Sequence, residues 1–316
     1  MLPLISICIP AYKNVSFLKR LLDSIVIQSY KNYEVIISDD SPDDAVSDLI
    51  NSYLVNFPSL NYWRNHPAKG MPENWNTAIS KAKGDWIKIM HDDDWFLSKD
   101  ALAKFVAKTD SAGDFIFSNY ENNYMDAEDR IVKKTPMVFP KYRLNAIAQE
   151  PLLLLADNKI GPPSVCMVRS SVQVEYDSRL RWRVDIDYYK RVLMQNPKMI
   201  LLEESLIGVG MNQGQITNQT KNRPEVELPE SFLLLQKYGT ASLGNWIVYD
   251  SWWRMMRNMH IHTYEQLRRY VPEDWPPAIV HLMNSLERTP PFLLKTGVTS
   301  KLCMLVSHAV NKSIEK

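Results

Sequence analysis

The chain alternates between short apolar runs and longer stretches in which apolar residues recur every three or four positions. The short runs are typical of strands buried on both faces, and the longer stretches are typical of amphipathic helices. Over the first hundred residues this pattern predicts strands and helices in strict alternation. The strands are Leu4–Pro10, Tyr33–Ser38, Leu60–Arg64 and Trp86–Met90, and the helices fall near residues 15–26, 46–54, 72–83 and 101–108.

This order predicts an α/β fold with a mostly parallel sheet flanked by helices. After about residue 115 the rhythm changes to a strand at 115–120, a polar hairpin at 121–139, a helix at 146–156, a strand at 164–168 and a helix at 185–194. Beyond Leu228 only helix signals remain. We therefore expect a main domain at 1–225, with halves 1–118 and 119–225, and a C-terminal helical extension at 226–316.

The composition narrows the class of protein. A formal net charge of +1 gives no general attraction to nucleic acid, so we expect no nucleic-acid partner. The three cysteines are far apart and form no CxxC pair, which argues against a zinc ribbon or a disulfide framework. The N-terminus lacks the basic start of a signal peptide, and no apolar run approaches the ~18 residues of a spanning helix. These features favour a soluble, cytoplasmic protein.

Carboxylates follow two of the predicted strands, at the sheet edge where ligands bind in folds of this kind. Asp39 and Asp40 come directly after the second strand. One of them is placed to accept a hydrogen bond from the ring N–H of a nucleotide base. The alternative is a turn in which an aspartate caps the next helix.

Three successive aspartates, Asp92, Asp93 and Asp94, follow the fourth strand. Two such charges about 4 Å apart repel by on the order of 4 kcal/mol at an effective dielectric near 20. A divalent cation offsets this repulsion, and Mg²⁺ or Mn²⁺ prefers carboxylate and diphosphate oxygens. A solvated loop that caps the following helix is the alternative.

The ordered set of segments LISICIPAYKN, EVIISDDS and KGMPENWNTAISKAKGDWIKIMHDDDW resembles the start of a family-two glycosyltransferase with the Rossmann-like GT-A fold. The resemblance covers roughly residues 1–220. It implies inverting transfer of a sugar from a nucleoside-diphosphate donor to a hydroxyl. It also implies a donor site bordered by Pro10, Ala11, Tyr12 and Asp39 or Asp40.

The same resemblance assigns the acidic run to the family's DxD motif. It implies that Asp92 and Asp93 face the ribose and donor, and that Asp94 binds a Mn²⁺ or Mg²⁺ ion. His91 stands where many members carry the first aspartate. It further implies that Gly70 and Asn74 lie near the diphosphate, although Asn74 is equally compatible with an exposed position on a helix.

Asp185 matches the second residue of an acidic pair that is the presumed catalytic base of the family, while Val184 replaces the first. A carboxylate within about 3 Å of an acceptor hydroxyl can take its proton as the new bond forms. Asp187 is the second candidate, and a helix cap is the structural alternative for Asp185. Two further segments match the family more weakly. Gly161–Ser164 resembles an acceptor-side loop, and a rigid turn is the alternative. In residues 210–217, Asn212 or Gln215 is a candidate to donate a hydrogen bond to the diphosphate.

Aromatic and basic residues alternate in the C-terminal extension, in the stretch 246–257 above all. This pattern suits the packed core of a helical subdomain, a homodimer seam or a peripheral contact with the inner face of the plasma membrane.

Taken together, the residues and the resemblance predict a glycosyltransferase that builds a bacterial surface glycan on a saccharide or lipid-linked saccharide acceptor. The competing classes are a glycoside hydrolase, a nucleotidyltransferase and a non-catalytic nucleotide-sugar-binding protein.

Overall fold

The computed structural model of the protein describes residues 2–211, 220 and 222–314. The chain forms two compact units, each assembled from separate stretches of sequence. The second unit also contains short segments that precede residue 225 in the sequence. The domain boundary predicted near that residue therefore stays a prediction. The first unit is Met1–Gln149, Lys159–Ser178 and Tyr188–Gln215, and the second is Glu150–Asn158, Arg179–Asp187 and Ile216–Lys316.

A nine-stranded mixed sheet forms the centre of the first unit, in the order β3-β2-β1-β4-β8-β6-β9-β5 with β7 paired to β6. The strands β1 to β4 are mutually parallel along this order, as the alternation of strands and helices predicts. Strand β6 runs parallel to β9, and the remaining pairs are antiparallel. The strands are β1 Ile5–Ala11, β2 Tyr33–Asp39, β3 Leu60–Arg64, β4 Trp86–Ile89, β5 Asp94–Phe96, β6 Phe115–Met125, β7 Ile131–Met137, β8 Cys166–Arg169 and β9 Met199–Met211.

Strands β1 and β2 are buried along their whole length, which explains why both read as continuous apolar runs. The helices of this part of the chain bury the stripe that their spacing marks out, as α1 does with Leu18, Leu21 and Leu22. The helices are α1 Val15–Val26, α2 Ala45–Tyr53, α3 Glu73–Ser80, α4 Ala101–Val106 and α5 Tyr142–Gln149, and α6 Val184–Gln195 follows later in the chain.

Several predicted elements differ in detail from those observed. Helix α3 ends at Ser80, before the predicted end near residue 83, because the chain must turn to enter β4. The predicted helix at 146–156 is α5, which ends at Gln149, followed by a 3₁₀ turn at Pro151–Leu155 where proline removes a helix donor.

The acidic run is not a simple loop, because its last aspartate begins a strand. Asp94 opens β5, which pairs antiparallel with β9. Three residues are too few for an alternating pattern to appear in the sequence, so the prediction missed this strand. The polar stretch at 121–139 does form the predicted hairpin, between β6 and β7.

The second unit packs its helices around one apolar core that includes Trp252, Trp253 and Met256. The core interpretation of the aromatic stretch is therefore correct for its buried residues. No described helix is long and apolar enough to cross a membrane. The helices are α7 Pro224–Tyr238, α8 Trp246–Asn258, α9 Tyr264–Arg268, α10 Pro277–Arg288, α11 Pro291–Leu294 and α12 Gly297–Ile314.

Candidate active site

The predicted donor residues of β1 and β2 meet at one edge of the sheet, because Ala11 and Asp39 are directly paired at the ends of two parallel strands. Asp39 is fully buried. Its carboxylate accepts hydrogen bonds from the N–H of Ser41 at 2.8 Å and from the hydroxyl of Tyr62 at 2.8 Å. Both carboxylate oxygens of Asp39 thus hold the strand end in place.

Asp40 anchors the loop that leads to α3. One carboxylate oxygen accepts the side-chain N–H of Asn65 at 2.8 Å and the backbone N–H of Lys69 at 3.1 Å. The other accepts the N–H of Gly70 at 2.7 Å. Gly70 has a φ of +72°, which a residue without a side chain adopts at little cost. The carboxylate and the glycine together fix the path of this loop beside the sheet edge.

Asn74 is buried, so the alternative of an exposed position on a helix is wrong. Its side-chain N–H donates to the carbonyl of Ala11 at 3.3 Å, and its side-chain oxygen accepts from Asn65 at 3.1 Å. The amide therefore ties the first turn of α3 to the end of β1. The predicted segments around residues 11, 40 and 74 form a single hydrogen-bonded network.

The acidic run approaches the same edge through its first aspartate. The Asp92 carboxylate accepts the backbone N–H of Tyr12 at 3.1 Å, across 80 positions of sequence. Burial, the neighbouring Asp93 and the more distant Asp39 raise the pKa of Asp92 well above its ordinary value. The end of β1, with Pro10, Ala11 and the exposed Tyr12, thus lies against the acidic run, at the sheet edge that the strand order predicts.

The side chains of His91, Asp93 and Asp94 form the one cluster of metal-ligand type in the described part of the chain. One potential ligand atom of each lies within 4.8 Å of the others. The assignment based on resemblance named Asp94 alone as the ligand and gave Asp93 to the donor. It did not include His91, whose position beside both carboxylates only the folded chain reveals.

The environment of His91 fits a metal ligand. Its Nε2 atom is buried and has no hydrogen-bond partner among the described residues. Its ring packs against Trp75 at 4.6 Å between centroids, which fixes its orientation. Burial and the nearby Lys88 lower the pKa of His91 to about 4, so the imidazole is neutral at physiological pH. A neutral imidazole is the form that binds metals.

Asp94 is buried, and its Oδ1 accepts the N–H of Gly210 at 3.2 Å. A Cβ atom at position 210 would lie 2.3 Å from the carbonyl oxygen of Asp93, so only glycine permits this approach of β9. Burial and Asp93 raise the pKa of Asp94 well above its ordinary value. The two crowded carboxylates suit Mn²⁺ or Mg²⁺, and such an ion would lower the cost of keeping both carboxylates charged.

Lys88 and Ser164 hold the start of the acidic run in place through hydrogen bonds. Neither residue was predicted to belong to the metal site. The ammonium of the fully buried Lys88 donates to the carbonyl of Ser164, and the Ser164 hydroxyl accepts the N–H of His91 at 2.9 Å. Burial lowers the pKa of Lys88 to about 7. A lysine inside the apolar run WIKIM was the signal that would have found it. Ser164, the last residue of the predicted turn at 161–164, therefore braces the acidic run.

The predicted base, Asp185, belongs to the second unit and sits in the first turn of α6. Its carboxylate accepts the side-chain N–H of Asn158 at 2.6 Å and the backbone N–H of Ile186 at 2.7 Å. Burial raises the pKa of Asp185 to about 6, although both hydrogen bonds oppose the shift. A carboxylate with a pKa in this range is suited to accept a proton near neutral pH.

Asp187, the second candidate base, is fully buried and ion-paired. Its Oδ1 lies 2.8 Å from the ammonium of Lys237 and also accepts the hydroxyl of Tyr238. These contacts give Asp187 a structural role within the second unit.

Glu230, which the sequence analysis missed, holds the segment before α6. Its two carboxylate oxygens accept the backbone N–H groups of Arg181, Trp182 and Arg183 at 2.8 to 3.1 Å. A carboxylate beyond a helix start satisfies donors that the helix leaves free. Nothing in the local sequence of Glu230 marks this function, since its partners lie nearly 50 positions away. Two other candidates, Asn212 and Gln215, lie outside the described residues.

The fold and the acidic site define a glycosyltransferase of the GT-A type. The model of the family described as glycosyl transferase family 2 matches residues 6–167, which is half of the chain. The chain therefore belongs to glycosyl transferase family 2, and the predicted family and fold are confirmed.

Three known proteins illustrate the similarity. A GalNAc(5)-diNAcBac-PP-undecaprenol beta-1,3-glucosyltransferase of Campylobacter jejuni is 27% identical over 119 residues, which are 37% of this chain and 38% of that protein. The chain thus spans well under half of this curated relative. TarS 1–349 of S. aureus in complex with UDP-GlcNAc has a TM-score of 0.65 at 15% identity, covering 98% of this chain and 90% of that one. The mannosyltransferase PcManGT of Pyrobaculum calidifontis, in complex with GDP-Man and Mn²⁺, has a TM-score of 0.56 at 14% identity, covering 100% and 88%.

Proposed function

We propose that this glycosyltransferase moves a sugar from a nucleoside-diphosphate sugar to a hydroxyl of a glycan or lipid-linked acceptor, with inversion and with a bound divalent cation. The observation that carries the proposal is the cluster of His91, Asp93 and Asp94 at the carboxyl end of β4. Carboxylates at a ligand-binding sheet edge are typical ligands of a diphosphate-bound metal, and the buried Nε2 of His91, which has no hydrogen-bond partner among the residues that the structure describes, offers a further ligand atom.

The cation, Mn²⁺ or Mg²⁺, would neutralise the charge that develops on the leaving diphosphate. Asp93, Asp94 and His91 would hold it, with the ring of Trp75 and the carbonyl of Ser164 keeping the group rigid through their contacts with His91 and Lys88. The complex of the similar mannosyltransferase with Mn²⁺ is consistent with this choice of ion.

The nucleoside end of the donor would lie along the end of β1. Pro10, Ala11 and Tyr12 line this edge, and Tyr12 exposes its ring to solvent. Asp39 and Asp40 have their carboxylates engaged by the chain, so we assign them to shaping the pocket as much as to contacting the base. The turn at Gly70, whose backbone N–H is held by Asp40, and the side chain of Asn74 would border the diphosphate from the loop before α3.

Asp185 would act as the base that takes the proton of the acceptor hydroxyl. Its pKa of about 6 leaves it mostly ionised at neutral pH and still basic enough to share a proton. Inversion follows if the hydroxyl attacks the anomeric carbon directly while the diphosphate leaves from the opposite face. The undecaprenol-linked acceptor in the name of the Campylobacter relative supports a lipid-linked saccharide as the acceptor.

The decisive experiment incubates the protein with a panel of nucleoside-diphosphate sugars, with and without Mn²⁺, and measures thermal stability and release of nucleoside diphosphate. A ligand at a hundred times its dissociation constant adds about 2.7 kcal/mol of stability. We expect stabilisation by one donor only with metal. The absence of any nucleotide effect at saturating metal would contradict the proposed donor site.

The same assay separates the competing classes of enzyme. A nucleotidyltransferase would release pyrophosphate from a nucleoside triphosphate, and a glycoside hydrolase would release sugar without any nucleotide. A binding protein would be stabilised by the donor and turn over nothing. We expect nucleoside diphosphate and a lengthened glycan instead.

A further inference from the structure

Helix α12 buries its more polar side, the reverse of what a surface helix in water does. The described buried residues of this helix are Ser300, Met304, Ser307 and Asn311, of which only Met304 is apolar. The hydroxyl of Ser300 accepts the indole N–H of Trp253 at 3.0 Å, and that of Ser307 lies 2.8 Å from the hydroxyl of Tyr249. Specific hydrogen bonds to α8 thus fix which side of α12 faces inward.

The opposite side of α12 is an apolar stripe exposed to solvent, formed by Val298, Leu302, Leu305, Val306 and Ala309. At about 100° per residue these five positions fall within an arc of roughly 100°. Val298 is 75% exposed, Leu302 60% and Val306 67%, and no charged side chain that the structure describes falls within this arc. An outward side more apolar than the inward one indicates that the stripe meets a non-aqueous environment.

A cationic cavity of about 330 Å³ adjoins the stripe, lined by Asp250, Arg254, Arg257, Gly297, Ser300 and Lys301. Lys301 lies on α12 one turn before Leu305, so its side chain borders the stripe. Asp250 pairs with Arg254 at 2.9 Å. Arg257 and Lys301 have no carboxylate partner among the described residues, so the cavity keeps a positive charge.

A partly exposed indole completes this surface. The ammonium of Lys301 lies 5.0 Å from the ring centroid of Trp246, which is 44% exposed. Tryptophan and lysine side chains can place their apolar part in an apolar environment while their polar end stays in water. A bilayer surface offers acyl chains to the apolar stripe, the headgroup boundary to the indole and lipid phosphates to the cations.

We propose that α12 docks the protein on an anionic phospholipid surface, with the apolar stripe in the headgroup–acyl boundary and a lipid phosphate in the cationic cavity. The charge of the cavity decides between occupants: two unpaired cations beside the stripe favour an anionic lipid over a second copy of α12, which would bring the same charges together. The inference goes beyond the transfer reaction and does not depend on it.

The test is sedimentation of the full chain with vesicles, without nucleotide or sugar, so that its result is separate from that of the activity assays. We expect binding to vesicles of phosphatidylglycerol and phosphatidylcholine and much weaker binding to phosphatidylcholine alone. Val306→Glu and Val298→Glu should each lower the partition coefficient at least tenfold. Lys301→Gln combined with Arg257→Gln should remove the preference for the anionic lipid and the dependence on salt.

Val55→Glu is the matched control, because this valine of the first unit is also exposed, at 93%, and lies outside the stripe. It should bind vesicles like the unchanged protein. Circular dichroism and melting curves establish that the variants are folded. Two positions of the stripe are tested so that the result stands if one variant does not fold. Equal binding by the Val306→Glu, Val298→Glu and Val55→Glu variants would overturn the proposal. So would a homodimer that forms without lipid and dissociates on Val306→Glu, or failure of the unchanged protein to bind anionic vesicles.

Discussion

The side-chain amide of Asn158 donates a hydrogen bond of 2.6 Å to the carboxylate of Asp185. The donor stabilises the charged form of Asp185, whereas burial of the carboxylate destabilises it, and burial is the stronger effect. The balance between these two opposing effects sets the pH range in which Asp185 can take a proton.

Replacing Asp185 with asparagine should abolish transfer and leave donor binding intact. Asparagine is close to isosteric with aspartate but cannot accept a proton from a hydroxyl, and loss of such a group costs typically 10²–10⁴-fold in rate. Steady-state turnover and calorimetric titration with the nucleoside-diphosphate sugar would measure the two properties. Retained turnover would remove Asp185 as the base, and lost donor binding would show that the substitution disturbs more than proton transfer.

The rate should depend on pH through the same residue. With a pKa of about 6, Asp185 is increasingly protonated below that pH, so kcat/KM should fall about tenfold per pH unit on the acid side. Asn158→Ala removes a hydrogen bond to the charged form, which should shift this acid limb to higher pH. The pH–rate profiles of the unchanged protein and of the Asn158→Ala variant measure this shift. An unmoved limb would mean that another group titrates.

Stability should change in the opposite sense to activity in the Asp185→Asn protein. Because the pKa of Asp185 rises from 3.8 to about 6 on folding, the folded state holds more protons than the unfolded state between these values, and stability falls as pH rises through this window. Removing the charge should therefore stabilise the variant by roughly 2 kcal/mol above pH 6, after allowance for partial exposure, and by little near pH 4. Urea unfolding at both pH values measures the difference.

Asp187→Asn should behave differently, although the two aspartates are only two positions apart. Its buried carboxylate pairs with Lys237, and removing one partner of such a pair leaves a charge without its counterpart. We expect a loss of about 2 to 3 kcal/mol in unfolding free energy, since Lys237 is partly exposed and can rehydrate. Chemical denaturation checks this, with Asp250→Asn, at a surface pair, as the milder comparison. An unchanged unfolding free energy would contradict the structural role.

Asp94→Ala should abolish metal-dependent donor binding, and His91→Ala should weaken it. Asp110→Asn is the matched control, because Asp110 is exposed and lies outside both the acidic run and the ligand cluster. Titration of Mn²⁺ followed by donor, read by calorimetry, compares the three variants. Full Mn²⁺-dependent binding by Asp94→Ala would exclude the assigned cluster, as would an equal loss with Asp110→Asn.

The sequence identified the strand ends of the site because two local signals coincide there. The apolar runs before Asp39 and Asp92 mark strands that must be buried, and parallel order brings their carboxyl ends to one edge. Gly70 and Asn74 were assigned from the resemblance and not from strand order. Asn74 reads locally as an ordinary residue of a helix start, and only the fold reveals its hydrogen bonds to Ala11 and Asn65.

The sequence by itself therefore determined the order of elements, the family and the position of the acidic run, because periodicity and short motifs are properties of neighbouring residues. Only the tertiary structure decided which aspartates belong to the candidate metal site and which have a structural role. His91 joins Asp93 and Asp94 through the packing of Trp75, and Lys237 neutralises Asp187 from 50 positions away. Burial and long-range hydrogen bonds set the charge and orientation of each group, and both arise only when distant segments pack together.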